Sequence, residues 1–292
     1  MDANNSTFLR LGLTGWPLSH SLSPRLHQAA LAALYLAGEY RLYPVPPLPE
    51  GRDKLAELME QVRQGRLDGL NVTIPHKQNV LPLLDELTPA ASAIGAVNTV
   101  YRRAGRLVGH NTDATGFLTD LELLGLAGPV SGPRRKALVL GAGGSARAVC
   151  WAMTQIGWQV CITARRFEQA SALADDLSAN SWAASALTLE PASLRLPFSL
   201  IINTTPVGMY PDVQASPWPA GIPFPPSAAV YDLVYNPPET ALVHSARAAG
   251  LPAATGLGML VEQAALAFEV WTGRTVSRLL LLKAANFDPE VL

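Results

Sequence analysis

The chain has 292 residues, 49% hydrophobic and 15% charged, which excludes a disordered protein and leaves room for a large core or two domains. Lys+Arg total 22 against 23 Asp+Glu, a net charge of −1 without any basic block, so nucleic acid is not an expected partner. The polar opening from Met1 to Thr7 does not read as a signal peptide, and apolar runs such as 29–37 are far short of a bilayer span. Cys150 and Cys161 match no zinc or redox spacing, so buried thiols in a cytoplasmic enzyme, away from membranes, are expected.

Strand-like runs lie at 9–14, 41–45, 70–74, 137–140, 159–164, 200–203 and 230–234, and they alternate with helical segments. That alternation predicts an α/β fold with largely parallel sheets. Segments 97–102 and 106–109, joined through Arg103-Ala104-Gly105, read as a hairpin, so one edge of the first sheet is expected to be antiparallel. Ala127-Gly128-Pro129 through Gly132-Pro133 reads as a linker to a second unit starting near Arg134. Seven prolines from Pro206 to Pro226 predict a long irregular loop, either a mobile flap or a stiff connection. No internal repeat is found.

Polar residues in apolar settings mark the chemistry. Ser19-His20-Ser21-Leu22-Ser23-Pro24 precedes a helix over 25–36, with Ser23 expected as N-cap and Pro24 at the first helical position. Such a helix start suits a small carboxylate, whereas capping alone would explain Ser23 but not Ser21. Leu70, Val72 and Ile74 alternate with period two, so Asn71 and Thr73 should share a face until Pro75 ends the strand. Lys77 then falls at a strand-to-helix turn, where open α/β sheets place their ligands, and is a candidate proton donor. Asn98, in Gly95-Ala96-Val97-Asn98-Thr99, enters a strand. Asp113 closes His110-Asn111-Thr112-Asp113 before a helix over 114–124, as a functional carboxylate or a structural N-cap. His76, His110 and Asp113 lack compact metal-ligand spacing, so no metal is expected, and His20, His27 and His244 read as surface or helix-facing residues.

The strand ending at Leu140 runs into Gly141-Ala142-Gly143-Gly144-Ser145-Ala146, a Gly-x-Gly-x-x-Ala dinucleotide fingerprint. The next helix carries a buried stripe at Ala146, Val149, Cys150, Met153 and Ile156, and its first amides would hold a pyrophosphate. Where an NAD enzyme carries a carboxylate after the second strand, this chain has Arg165-Arg166. A guanidinium there pairs with a 2′-phosphate and favours NADP, the plain alternative being a solvated arginine pair.

Taken in order, the chain resembles the shikimate dehydrogenase family over nearly its whole length. The resemblance is carried by Ser21-x-Ser23-Pro24, Asn71-Val72-Thr73-x-Pro75-x-Lys77, Gly95-Ala96-Val97-Asn98-Thr99, Asn111-Thr112-Asp113, Gly141-x-Gly143-Gly144, Asn203-Thr204-Thr205, Tyr231-Asp232-x-x-Tyr235 and Gly258-Met259-Leu260-x-x-Gln263. It implies reversible reduction of 3-dehydroshikimate to shikimate by NADPH, with Lys77 and Asp113 matching the catalytic pair. Ser21, Ser23, Asn71, Thr73, Asn98, Tyr235 and Gln263 match substrate-binding positions. Gly141, Ala142, Gly143, Gly144, Ser145, Arg165, Thr204, Thr205, Leu233 and Gly256 fall where the family contacts cofactor, with Arg166 as a further candidate. The family architecture implies a substrate domain at 1–113, joined by returning helices at 253–292, a Rossmann domain at 114–252, and an active site in the cleft between them. Family members occur as monomers and dimers, and a homodimer is weakly favoured. Ala164-Arg165-Arg166 departs from the Asn-Arg-Thr of many NADP-dependent members, with Gln169 at a later arginine position, and Pro206 and Val207 replace small polar residues. A quinate dehydrogenase, which often alters one paired serine and carries an acidic ribose-binding residue, is the nearest rival, and a non-catalytic NADP-binding regulator a more distant one.

Overall fold

The structure, a computed structural model, describes residues 8–126, 135–180 and 182–285. The expected linker around Ala127 to Pro133 lies outside the described residues. The chain divides into two compact units, Met1–Thr112 with Val261–Leu292, and Asp113–Leu260.

The first unit runs β1 (Leu9–Gly15), α1 (Ser23–Ala33), β2 (Gly38–Pro44), α2 (Arg52–Arg63), β3 (Gly69–Val72), β4 (Glu86–Leu87), α3 (Pro89–Ile94), β5 (Thr99–Arg103) and β6 (Arg106–His110). Its six strands are ordered β2-β1-β3-β5-β6-β4. The hairpin forms, with Thr99 opposite His110 and Arg103 opposite Arg106. The expected antiparallel edge is corrected, however. β5 alone runs against the others and lies inside the sheet, antiparallel to both β3 and β6, while the short β4 covers β6 on its far side in parallel. Two residues of β4 are too little pattern to register as a strand.

Close backbone approach shapes this sheet. A Cβ on Gly12 would lie 2.4 Å from the Tyr43 ring, and one on Gly69 would lie 2.3 Å from Trp271 Nε1. Trp271 belongs to a late helix, 257–272, and its Nε1 donates to the Val100 carbonyl at 3.2 Å. One core, from Val45 through Leu55, Leu58 and Val62 to Leu70, Val100 and Leu107, packs α2 onto the sheet. The strand boundaries differ from expectation at two polar ends. β3 stops at Val72, since the Thr73 carbonyl accepts a turn bond from the His76 amide at 2.8 Å and Pro75 has no amide to donate. Helix α1 begins at Ser23 with Leu22 as N-cap, so Ser23 is its first helical residue and not its cap.

The second unit runs α4 (Asp113–Leu123), β7 (Lys136–Leu140), α5 (Gly144–Gln155), β8 (Gln159–Thr163), α6 (Phe167–Ala179), β9 (Ala184–Ala186), α7 (Pro191–Leu194), β10 (Leu200–Asn203), β11 (Ala229–Asp232), α8 (Ala241–Ala248) and β12 (Ala253–Thr255). Its sheet is wholly parallel, ordered β12-β11-β10-β7-β8-β9. Ala253–Thr255 therefore pairs with β11 and does not join the returning segment, against the expectation of a return from residue 253. The return is made by α9 (Leu257–Thr272) and α10 (Arg278–Ala285). Fully buried Ala146, Ala148 and Ala152 let α5 sit close on β7 and β8. The proline-rich stretch carries neither helix nor strand, and Trp218 fastens it: its ring stacks on Phe224 at 4.9 Å and its Nε1 donates to the Ile222 carbonyl at 2.9 Å. Trp218 also belongs to the buried core cluster of Leu194, Ile201 and Leu242, which favours the stiff connection over the flap. No helix among the described residues is long and apolar enough to cross a membrane.

Candidate active site

In each sheet the strand order reverses beside the first strand of the unit, and the carboxyl ends of the two diverging strands are where open α/β sheets take their ligands. In the first unit these strands are β1 and β3. A Cβ on Gly15 would lie 2.3 Å from Thr73 Cγ2, so the segment carrying Ser21 and Ser23 leaves the sheet beside the segment carrying Thr73 and Lys77. Ser21 Oγ accepts from the Ser23 amide at 3.3 Å, which gives Ser21 the turn-forming role that capping by Ser23 left unexplained. The Lys77 segment is fixed from both sides. The Lys77 carbonyl accepts from the Val97 amide at 2.8 Å, and the buried His76 ring bonds the Val45 carbonyl at 2.8 Å through Nε2 and Asn79 Nδ2 at 3.2 Å through Nδ1. His76 is thus a strut under the loop, with both ring nitrogens engaged.

Asn98 is the hub of this unit. It is 3% exposed; its Oδ1 accepts from the Thr112 amide at 2.8 Å and the Thr99 hydroxyl at 3.0 Å, and its Nδ2 donates to Thr112 Oγ1 at 2.9 Å and Gln263 Oε1 at 3.4 Å. Asn71 joins the same network, donating to the Asn98 carbonyl at 3.1 Å and Thr99 Oγ1 at 3.2 Å and accepting from the Tyr40 hydroxyl at 2.8 Å. Four segments far apart in the chain are thereby brought together: those of Asn71, Asn98, Thr112 and Gln263. Leaving any such buried polar group unpaired costs about 1–3 kcal/mol, so the arrangement is held as a set. Thr112 ends the unit, and Asp113, 4% exposed, opens α4 as its first helical residue.

Tyr40, Thr99 and His27 carry no role in the sequence reading of this site. His27, expected at the surface or facing its helix, is 1% exposed and stacks on Tyr40 with centroids 4.3 Å apart, near Phe268 and Trp271. Burial pushes its ring down to about 3 despite a hydrogen bond with Asn71, so it is neutral at ordinary pH. An isolated histidine within α1 gives no signal to separate these environments.

In the second unit the order reverses between β7 and β10. Gly141 has φ +114°, a backbone that L side chains rarely adopt, and a Cβ there would lie 2.5 Å from Thr204 Oγ1. Thr204 straddles the turn: its amide and hydroxyl both donate to the Leu140 carbonyl, at 2.9 and 2.8 Å. Helix α5 starts at Gly144, with Gly143 as N-cap and no capping side chain, and a Cβ on Gly143 would enter open space. Ala142 lies half-buried between them, while Arg165 and Arg166 follow β8, both exposed, and make no ion pair among the described residues. These features fit a dinucleotide with an added phosphate on its ribose. A Cβ on Gly256 would lie 2.4 Å from the Leu233 carbonyl, so these two segments also run side by side, with Tyr235 half-buried two residues beyond Leu233.

Two buried carboxylates of this unit carry no role in the sequence reading. Asp120 accepts from the Tyr231 hydroxyl at 2.6 Å and sits where a Cβ on Gly258, at the start of α9, would have to be. Asp232 ends β11 and accepts from Asn203 Nδ2 at 2.8 Å, the Val234 amide at 3.0 Å and the Thr240 hydroxyl at 2.7 Å. The Val234 bond ends the strand at Asp232, short of the expected residue 234. Burial pushes the Asp232 carboxyl up to about 6, against the opposing effect of its three donors.

Comparison with known proteins places this arrangement. The profile of the shikimate dehydrogenase substrate binding domain matches residues 13–100, and that of the shikimate 5′-dehydrogenase C-terminal domain matches residues 256–285. A shikimate dehydrogenase (NADP(+)) of Salinibacter ruber is 43% identical over 282 residues, 94% of this chain and 96% of that protein. The structure of shikimate 5-dehydrogenase from Thermus thermophilus in complex with NADP(H) and shikimate superposes with a TM-score of 0.81 at 41% identity, covering 95% of this chain and 98% of that one. A shikimate dehydrogenase in complex with NADP+ gives a TM-score of 0.86 at 32% identity, with 96% of each chain covered.

Proposed function

This chain belongs to the shikimate dehydrogenase family, and from that membership we propose that it reduces 3-dehydroshikimate reversibly to shikimate with NADPH. The observation that carries the reading is the buried Asn98 network, which gathers Asn71, Thr112 and Gln263 around one amide in the unit that also bears Ser21, Ser23, Thr73 and Lys77. A network of amides and hydroxyls suits a polyhydroxylated ring, and the serines at the start of α1 suit its carboxylate.

NADPH, when bound, supplies the hydride that reaches the C3 carbonyl. Lys77 is assigned as general acid: its ammonium donates a proton to the forming alkoxide oxygen and stabilises the charge as it develops. Asp113 is assigned as a second catalytic residue, and Tyr235 as a further substrate contact. In the oxidative direction Lys77 takes the proton from the alcohol. Gly141, Ala142, Gly143, Gly144 and Ser145 would hold the pyrophosphate, Arg165 with Arg166 the 2′-phosphate, and Thr204, Thr205, Leu233 and Gly256 the remaining cofactor surface. A cytoplasmic, homodimeric enzyme belongs to the same reading.

The test is a comparison of initial rates for shikimate and quinate with NADP and with NAD. Shikimate with NADP should dominate. Dominant turnover of quinate with NAD would replace this reading by quinate dehydrogenase, and NADPH binding without any turnover would make the chain a regulator.

A further inference from the structure

Among the polar groups that the reaction does not use, one pair reaches toward the cofactor surface. Asn203 closes β10. Its Oδ1 accepts from both the amide and the hydroxyl of Thr205, at 2.9 and 2.7 Å, and its Nδ2 donates to Asp232 at 2.8 Å and to the Val207 carbonyl at 3.3 Å. An asparagine amide has two ends of similar shape and opposite character, so its orientation is decided by its neighbours. The Thr205 amide and the Val207 carbonyl set which way it points, and Asp232, fully buried, anchors its nitrogen end at the shorter distance. The same Asp232 Oδ1 also accepts from the Val234 amide at 3.0 Å.

We propose that Asp232 is a positioning residue for the cofactor: by anchoring the Asn203 amide it holds Thr204 and Thr205 over the glycine turn, and by accepting from Val234 it sets the path of Leu233. The proposal rests on the functional reading above, which assigns those three residues to cofactor contact. The geometry links them directly. Thr204 closes on Leu140 and Gly141, Thr205 hangs from Asn203, and the Leu233 amide donates to the Asn203 carbonyl at 2.9 Å. Asp232 makes a different kind of bond through its second oxygen. Oδ2 accepts from Thr240, whose hydroxyl also caps α8 by accepting from the Val243 amide at 3.2 Å. One carboxylate thus serves the cofactor loop through Oδ1 and the stability of α8 through Oδ2, and the two roles can be separated.

The experiment is a fluorescence titration of NADPH onto the full chain and onto D232A, D232N and T240V. D232A removes the anchor of the Asn203 amide and of the Val234 turn and should raise Kd about tenfold, whereas D232N keeps an oxygen for Asn203 and Val234 and should stay within about twofold of the parent. T240V removes the α8 cap and should lower Tm while leaving Kd unchanged. Steady-state rates should agree: D232A raises KM for NADP, with KM for shikimate and kcat retained. D232A binding like the parent, D232N losing as much affinity as D232A, or T240V losing affinity equally would each overturn the proposal. Should D232A fail to fold, D232S takes its place under the same criteria. A parent chain that binds no NADPH overturns the functional reading and this proposal with it; a parent that binds while D232A binds equally overturns this proposal alone.

Discussion

The two units build their sites from opposite materials. The first places side-chain amides and hydroxyls inside the protein and satisfies them against one another, as Asn71, Asn98, Thr99, Thr112 and Gln263 do. The second presents backbone: a glycine turn at φ +114°, an uncapped helix start, and arginines that reach solvent. A buried amide network is held as a set, because displacing any one member leaves a polar group unpaired in a low dielectric. Backbone amides and guanidinium groups at the surface read charge and shape, and tolerate variation around them. The first unit is accordingly the less tolerant of substitution at these positions.

Three measurements sharpen or break that contrast. The largest effect is expected in the first unit, where K77A should lower kcat by about 10²–10⁴ with little change in KM, the range for loss of a general acid–base. Steady-state kinetics decide it, and near-normal turnover would remove Lys77 from the mechanism. The second measurement uses pH, because the units carry titrating groups shifted in opposite senses. His27 is held down to about 3 when folded, so the unfolded chain takes up its proton first and acid works against the fold. Relative to H27F, the parent should lose about 2 kcal/mol between pH 7 and pH 5. Asp232 is held up to about 6, so its stability contribution is complete below the ordinary carboxylate value and is lost as pH rises through 6. Relative to D232N, the parent should gain about 1 kcal/mol over the same fall in pH. Urea unfolding of the three proteins at both pH values reports the two slopes, and slopes of the same sign would dissolve the contrast. The smallest effect is expected at the arginine after β8. R165S should raise KM for NADP about tenfold, with kcat and the KM for NAD nearly unchanged.

The same contrast governs what can be read from the sequence. Glycines, prolines and strand periodicity act locally, so the dinucleotide turn, the helix behind it, the hairpin and most strands are legible. The strand leading to Lys77 is legible from Leu70 and Val72, though it ends two residues before the alternation through Ile74 suggests. Tyr40, His27 and Asp232 are not, since each gains its meaning from partners on other strands or helices. The place of β5 is hidden for a related reason. A hairpin fixes the relation of its own two strands, whereas its position in the sheet depends on β4, whose two residues hold no periodicity.

The second unit is an insertion in the first, which has consequences during synthesis. The first unit takes its last part from Val261 onward, and Trp271 closes against Gly69 and against Val100, the latter 171 residues earlier in the chain. As the chain leaves the ribosome, every residue of the inserted unit has emerged before that closing helix exists. The part of the protein that is made first is therefore the last that can be completed, and until then the face of β3 and β5 beneath Trp271 stays open.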